Sequence, residues 1–259
     1  MVTDTTTSAT MTTQLEDPLS YLPCSTISEY RKGQVLFEPG QRSPYLHLVM
    51  EGCIKISRII DNNEIVIDLC QADDFFGEPA FLGLDTAERA VALDGSKIMS
   101  WPIQTVQELI CRHPQLGIAL VQLLARRGMD LSERMGTLSV DCTSRRLAKA
   151  LLHLAERMGQ PDAQSPQVVQ TAPFAHKLLA QYIGTTREAV THCMNQFRRQ
   201  GFLTYSRRGM TIYRDNIVGW LESTAKSNPG PSATGPRQQR QQPEIHSDHL
   251  ENENDTLSV

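Results

Sequence analysis

His176-Lys177-Leu178-Leu179-Ala180-Gln181-Tyr182-Ile183 runs through Gly184-Thr185-Thr186 into Arg187-Glu188-Ala189-Val190-Thr191-His192-Cys193-Met194-Asn195-Gln196-Phe197. The first eight residues form a short helix that turns Leu178, Leu179 and Ile183 inward. Gly184 supplies the left-handed conformation that a tight turn requires. Thr185 or Thr186 then caps a second helix, with Glu188 in its first turn, where a carboxylate complements the helix dipole. Val190, Cys193, Met194 and Phe197 recur at three- and four-residue steps and make its buried face. Arg187, Thr191 and Asn195 share another face, with Glu188 and His192 beside it. Two helices of these lengths about a glycine turn are a helix-turn-helix, and the second helix of such a unit fits a DNA major groove. Arginine there bonds guanine with two hydrogen bonds, and glutamate accepts one from cytosine.

The residues behind this unit strengthen the reading. Phe202–Tyr205, the turn Ser206-Arg207-Arg208-Gly209 and Met210–Tyr213 make a hairpin with two arginines at its tip, a wing suited to phosphates. A solvated helix start would account for Arg187 and Glu188 alone, but not for the hairpin. Charge agrees. The net charge of −4 hides an asymmetry: residues 20–140 hold 11 basic against 15 acidic side chains, and residues 141–214 hold 11 against 4. A basic second half points to a polyanion.

Upstream, residues 143–158 read as an amphipathic helix (Leu147, Ala150, Leu151, Leu154), followed by the polar loop Gly159–Ser165 and a short strand at Val168-Val169. From Gln104 to Ser139 the main breaker is Pro114, which is tolerated in a first helical turn. Beyond it Leu116, Leu120, Leu123/Leu124, Leu131, Met135 and Leu138 form a seam on a long helix. Such a seam fits a two-stranded coiled coil, or an amphipathic helix packed on its own domain. Arg126, Arg127, Glu133 and Arg134 beside it favour dimerisation, with Gly128 a weak point. From Tyr30 to Pro102 the pattern is strand and turn. Gln34–Glu38, Tyr45–Met50, Cys53–Ile60 and Glu64–Leu69 are punctuated by Pro39-Gly40, Glu51-Gly52 and Asp61-Asn62-Asn63. Short, evenly punctuated strands indicate a β sandwich or barrel.

Other classes are set aside by what the chain lacks. Its hydrophobic share of 40% suits a globular core. Apolar runs such as Leu46–Met50 are too short to cross a bilayer, and no basic segment precedes an apolar one at the N-terminus, so a cytoplasmic protein without membrane contact is expected. Cys24, Cys53, Cys70, Cys111, Cys142 and Cys193 lie far apart, which argues against disulfides and zinc. Cys193, within the second helix of the unit, is a candidate for oxidation, but its apolar face favours a packed thiol. No phosphate loop, metal cluster or nucleophile motif suggests an enzyme. Glu78 with Arg89 could mimic a catalytic pair, yet that would leave the winged helix unexplained. The Thr/Ser-rich start and the Gln/Pro/Asn-rich end are expected to be disordered tails.

Ile183–Val190 and Phe197-Arg198-Arg199-Gln200-Gly201-Phe202-Leu203 resemble the helix-turn-helix signature of the CRP/FNR family. Arg31-Lys32-Gly33-Gln34-Val35-Leu36-Phe37, Val49-Met50-Glu51-Gly52 and Phe76-Gly77-Glu78 resemble its first domain, so the likeness spans residues 22–215. The resemblance implies an α+β fold: an N-terminal β jelly roll (a double-stranded β-helix) that senses a signal, a long dimerisation helix and a C-terminal winged helix-turn-helix. The corresponding segments are 22–113, 114–140 and 141–222, between tails 1–21 and 223–259. It also implies a homodimeric transcription regulator on a near-palindromic duplex, with RNA polymerase as a further partner.

By the same resemblance Arg187 and Glu188 take the first two base-reading positions. Thr185, Thr186, Thr191, His192, Arg207 and Arg208 complete the DNA-contacting set. His192 stands where a relative carries another arginine. Ala175 stands where a threonine that touches phosphate is usual.

The family's cyclic-nucleotide domains hold ribose and phosphate with a Gly-Glu pair and an Arg-Ser pair, and Gly77 and Glu78 match the first. Arg89-Ala90 is the nearby candidate for the second and lacks the hydroxyl. Alignment on Ala92–Trp101 and Pro114 puts the family positions at Thr86 and Ala87. Arg89 lies three residues further on, an odd step that turns it to the opposite face. Leu131-Ser132 falls where a Thr-Ser pair reaches the base across the dimer, and only Ser132 is kept. A cyclic-nucleotide site of Gly77, Glu78, Arg89 and Ser132 is therefore implied with an incomplete phosphate grip, and no cofactor follows with certainty. The iron–sulfur cluster of the oxygen-sensing branch is not expected, because Cys24 stands alone near the N-terminus. His47 and Cys70 are the residues a haem would need, and a lone histidine in a strand is more often structural.

Overall fold

The computed structural model describes residues 15–206 and 209–226. Its first part has eight strands: β1 (Thr26–Tyr30), β2 (Val35–Phe37), β3 (Tyr45–Glu51), β4 (Ile54–Ile60), β5 (Asn63–Cys70), β6 (Phe75–Phe76), β7 (Arg89–Ala92) and β8 (Ser96–Pro102). They form two antiparallel four-stranded sheets, ordered β1-β8-β3-β6 and β2-β7-β4-β5, the expected jelly roll. The β4–β5 hairpin closes on two residues, Asp61 and Asn62, at φ 49° and 63°. Asp and Asn tolerate that conformation, which is why this dipeptide ends the strand.

Alternation along β3 shows how the layers stack. Val49 faces Phe37, Ile54, Ile56, Phe76, Ala90 and Ile98 between the sheets. Leu46 and Leu48 point the other way, with Met99 and Trp101, and pack on Ile103 and Val106 of α1 (Ile103–Arg112) and Leu116 and Leu120 of α2 (Pro114–Val140). β3 is thus buried on both faces, and each such side chain contributes about 1.5–3 kcal/mol relative to exposure. Trp101 donates its indole N–H to the Pro23 carbonyl at 2.7 Å. Residues 15–21, read as tail in the sequence, are ordered. Asp17 caps a turn at Pro18–Ser20, the Glu16 amide donates to Gln122 of α2 at 2.9 Å, and Tyr21 and Leu22 join the helix-side core.

The seam on α2 is divided between two faces. Leu116, Leu120 and Leu123 pack inward on the jelly roll. Ile118, Val121, Leu124, Met129, Leu131, Met135 and Leu138 are exposed, at 40–73% of their surface. The sequence seam took residues from both faces because leucines at steps of three and four satisfy either one.

The second part comprises α3 (Thr143–Met158), β9 (Gln160–Pro161), β10 (Val168–Thr171), α4 (His176–Ile183), α5 (Arg187–Arg199), β11 (Leu203–Tyr205), β12 (Met210–Tyr213) and α6 (Arg214–Lys226). A sheet ordered β11-β12-β10-β9 flanks three helices whose core includes Leu147, Leu151, Leu179, Ile183, Val190, Met194 and Phe197. Phe197 and Trp220 meet edge-on at 5.5 Å between centroids. α6 continues to Lys226, past the residue 222 boundary drawn from the sequence. The expected tails at 1–14 and 227–259 lie outside the described residues. Val66 and Leu69 of β5 belong to this second core, and Gln181 of α4 donates to Glu64 of β5 at 2.7 Å, so jelly roll and winged helix touch through β5.

Candidate nucleic-acid interface and effector site

Gly184 ends α4 at φ 65° and ψ 56°, the left-handed cap expected of it. Thr186 is the residue that caps α5: its hydroxyl accepts from the Ala189 amide at 3.2 Å. Thr185 is half-buried, and its amide donates to the Ala180 carbonyl at 3.0 Å. Val190, Cys193, Met194 and Phe197 are buried, which leaves Arg187, Glu188 and His192 exposed on the other side. Among the described residues no ion pair engages those three side chains.

Thr191 differs from its neighbours. Its hydroxyl lies 2.9 Å from the Arg187 carbonyl and 2.9 Å from Nδ1 of His176, so it braces α5 against α4. Burial and the nearby Arg187 charge both lower the His176 pKa. His176 was missed in the sequence, where nothing local signals a partner fifteen residues away. Asn195 accepts from the Tyr205 hydroxyl at 3.2 Å and so ties α5 to the wing strand. The Ser206 amide donates to the Gly209 carbonyl at 2.8 Å to close the wing, whose tip residues Arg207 and Arg208 lie outside the described residues. Ala175 precedes α4 without any side-chain cap, as its methyl dictates.

The candidate effector residues fall into two groups. Gly77 sits at φ 94°, and a Cβ there would lie 2.7 Å from the Tyr45 carbonyl and 3.0 Å from the His47 ring, so only glycine fits this turn beside β3. It delivers Glu78 to a cavity of about 1110 Å³, walled by Ile56, Phe76, Glu88, Leu123 and Arg127 on the sensor side and by His153, Arg157 and Tyr182 of the winged-helix half. Arg89 and Ser132 do not line it. Arg89 pairs with Glu38 at 3.0 Å, and Ser132 is exposed on α2. Glu88, one residue before Arg89, faces the cavity instead. Burial raises its carboxyl pKa against the pull of Arg58 at 3.7 Å.

Arg127, which the sequence reading placed only beside a dimer seam, reaches into the cavity. Its guanidinium pairs with Glu78, donates to the Phe75 carbonyl at 2.9 Å and donates to Oδ2 of Asp68 at 2.7 Å. Oδ1 of Asp68 accepts from Arg157 of α3 at 2.9 Å, and Arg157 also pairs with Asp74 at 2.6 Å. Burial pushes the Asp68 carboxyl up, but the two guanidiniums outweigh it and hold the pKa below its ordinary value. A signal was available. Arg127 and Arg134 continue the inward stripe of Leu116, Leu120 and Leu123 at steps of four, three, four and seven, and an arginine on a buried face requires a carboxylate or carbonyl opposite.

The candidate haem residues have other roles. His47 stacks on Phe76 at 4.9 Å and bonds the Ser100 hydroxyl at 2.8 Å, and burial lowers its pKa to about 4. Burial raises the thiol pKa of Cys70 and Cys193, and that of Cys53 to about 12. Among the described residues the six cysteines are free, no His/Cys/Asp/Glu group has metal-binding geometry, and no helix is long and apolar enough to cross a membrane.

Two family models match the chain: a cyclic nucleotide-binding domain over residues 27–113 and a Crp-like helix-turn-helix domain over 145–215. The global nitrogen regulator of Synechococcus elongatus is 25% identical over 191 residues, covering 72% of this chain and 85% of that protein. The CRP-like cAMP-activated global transcriptional regulator of Mycobacterium tuberculosis is 25% identical over 194 residues, covering 71% and 82%. A CRP/FNR-family transcriptional regulator from Thermus thermophilus superposes with a TM-score of 0.63 at 22% identity, over 76% of this chain and 98% of that one. FixK2 from Bradyrhizobium japonicum does so with a TM-score of 0.65 at 18% identity, over 75% and 96%. At these identities the structural likeness establishes the fold.

Proposed function

Since the chain belongs to the CRP/FNR family of transcription regulators, we propose that it is a homodimer that binds a near-palindromic duplex through Arg187, Glu188 and His192, under control of a signal received in the jelly roll. The observation that carries this is the outward face of α5, where exposed base-reading side chains stand opposite a fully buried apolar face. Thr186 and the Thr191–His176 bond fix the helix so that the chain presents that face without reorganising. Arg207 and Arg208 contact backbone phosphates and set orientation, whereas Arg187 and Glu188 set sequence. Two copies joined along α2 place their recognition helices about 34 Å apart, one helical turn of DNA. The bound dimer then recruits or blocks RNA polymerase, in the cytoplasm, and the reading includes no catalysis.

The relatives' names point to different signals, nitrogen status and cAMP, and so do not fix this one. The cavity favours neither cAMP nor cGMP. The grip expected for a cyclic phosphate is spent elsewhere: Arg89 on Glu38, and Glu78 on Arg127, with the Glu88 carboxylate facing inward. The arginines of the wall, Arg127 and Arg157, are already paired with Glu78, Asp68 and Asp74, so a phosphate entering there meets guanidiniums whose charge is engaged. Selection of duplexes bound by the full chain tests the regulator reading, and a consensus with two half-sites about ten base pairs apart is expected. A pool that stays random defeats it. Calorimetry against cAMP and cGMP tests the effector reading, and tight binding of either reverses it.

A further inference from the structure

The cavity lies where jelly roll, α2 and winged helix meet, and one carboxylate in its wall touches all three. Asp68 of β5 holds Arg127 of α2 with Oδ2 (2.7 Å) and Arg157 of α3 with Oδ1 (2.9 Å). At the far side of Arg127 sits Glu78 in the effector site, and at the far side of Arg157 sits Asp74, at 2.6 Å. The Gln71 amide also donates to the Arg157 carbonyl. A second arginine of α2, Arg134, bonds the Ile67 carbonyl at 2.5 Å, the Val66 carbonyl at 3.0 Å and the Tyr182 carbonyl at 3.1 Å, and lies over the Tyr182 ring at 4.0 Å. The side chains that bond Arg127 all belong to the jelly roll, yet Arg127 shares its acceptor with the DNA-binding half.

We propose that Asp68 is the positioning residue that couples the effector cavity to the winged helix, through the chain Glu78–Arg127–Asp68–Arg157. The proposal rests on the reading of this cavity as the signal site, but its core claim, coupling through Asp68, stands apart from the identity of any signal. A carboxylate with two oxygens can serve two guanidiniums at full strength only while both hold their places. An occupant that pulls Arg127 towards or away from Glu78 changes the field and geometry that Asp68 offers Arg157. Arg157 is fixed on α3, which carries the core of the DNA-binding half, so the change reaches α4 and α5 as a shift in how that half sits on β5. Side chains in contact through a shared acceptor are where non-additive energies arise.

Amide hydrogen exchange of the full-length protein tests this without any effector. Arg127→Gln, which alters a side chain with no bond to the winged helix, is expected to speed exchange in α4 around Tyr182 and in the last turn of α3 by about fivefold or more, the lower range of measured couplings. Arg157→Gln should do the same directly, and the Arg127→Gln/Arg157→Gln double variant should add little, since both act through one carboxylate. Asp68→Glu should restore part of what Asp68→Asn loses. Arg89→Gln, which breaks the pair with Glu38 outside the cavity, should leave α3 and α4 unchanged. Changes confined to the jelly roll in Arg127→Gln, or fully additive effects in the double variant, overturn the proposal. Neither outcome bears on whether the chain binds DNA, which the duplex selection reads separately.

Discussion

Arg187 and Thr191 sit one turn apart on α5 but have different tasks. Arg187 is exposed and its side chain is unpaired among the described residues, whereas the Thr191 hydroxyl already has two partners inside the protein. Arg187→Ala is expected to weaken binding to the selected duplex by about 1–3 kcal/mol for each half-site and to relax preference at one base pair in each. Gel-shift titration against single-substitution duplexes reads both effects. His47 supplies a pH dependence. Its pKa of about 4 in the folded protein lies below the ordinary histidine value, so protons bind the unfolded chain more tightly. Its contribution is complete above about pH 6.5 and is lost as pH falls towards 4, at roughly 1.4 kcal/mol per pH unit. Burial lowers His153 and His176 as well, in the same sense. Urea unfolding at pH 7 and pH 5 should show this loss, and His47→Gln should flatten it.

Among the elements, α2 carries the most. Its outward stripe of Val121, Leu124, Leu131, Met135 and Leu138 is apolar and exposed in a single chain. Met135→Asp at this stripe is expected to convert dimer to monomer in sedimentation while circular dichroism stays unchanged, because Met135 touches neither core. DNA affinity should fall with it, since one recognition helix contacts one half-site only. Thr186→Ala removes the α5 cap and is expected to cost about 1 kcal/mol of stability, read by thermal unfolding. The elements themselves were largely legible in the sequence. Gly184, the capping threonines and the Val190-Cys193-Met194-Phe197 period define α4 and α5 from local chemistry alone. The orientation of α2 was not legible, because leucines at mixed steps fit both of its faces. Glu88, Asp68 and Arg157 escaped for a different reason. Asp68 and Arg157 meet across 89 residues of chain, Glu88 lines the same cavity, and only the packing of three elements brings their charges there.

At the scale of the whole molecule, β5 is the shared wall. One of its edges pairs with β4, while Val66 and Leu69 enter the core of the winged helix. A basic half mounted on an acidic half also makes DNA binding steeply sensitive to salt. Each phosphate neutralised should contribute about −0.9 to the slope of log affinity against log salt. Substituting Arg207 and Arg208 removes four phosphate contacts from the dimer and should make that slope shallower by about 3.6 while leaving the consensus intact. β3 imposes a different condition on the whole. In most strands, sliding by one residue exposes apolar side chains to water, and that penalty fixes the alignment. β3 sends Leu46 and Leu48 to one layer and Val49 with His47 to the other, so a slip exposes little apolar surface and the penalty is smaller. Directional contacts to β8 must choose instead: His47 with Ser100, and Glu51 with Lys97 at the strand's end. Correct threading of the central layer during folding therefore depends on a few polar bonds, and their loss would show first as misaligned chains rather than as weaker ones.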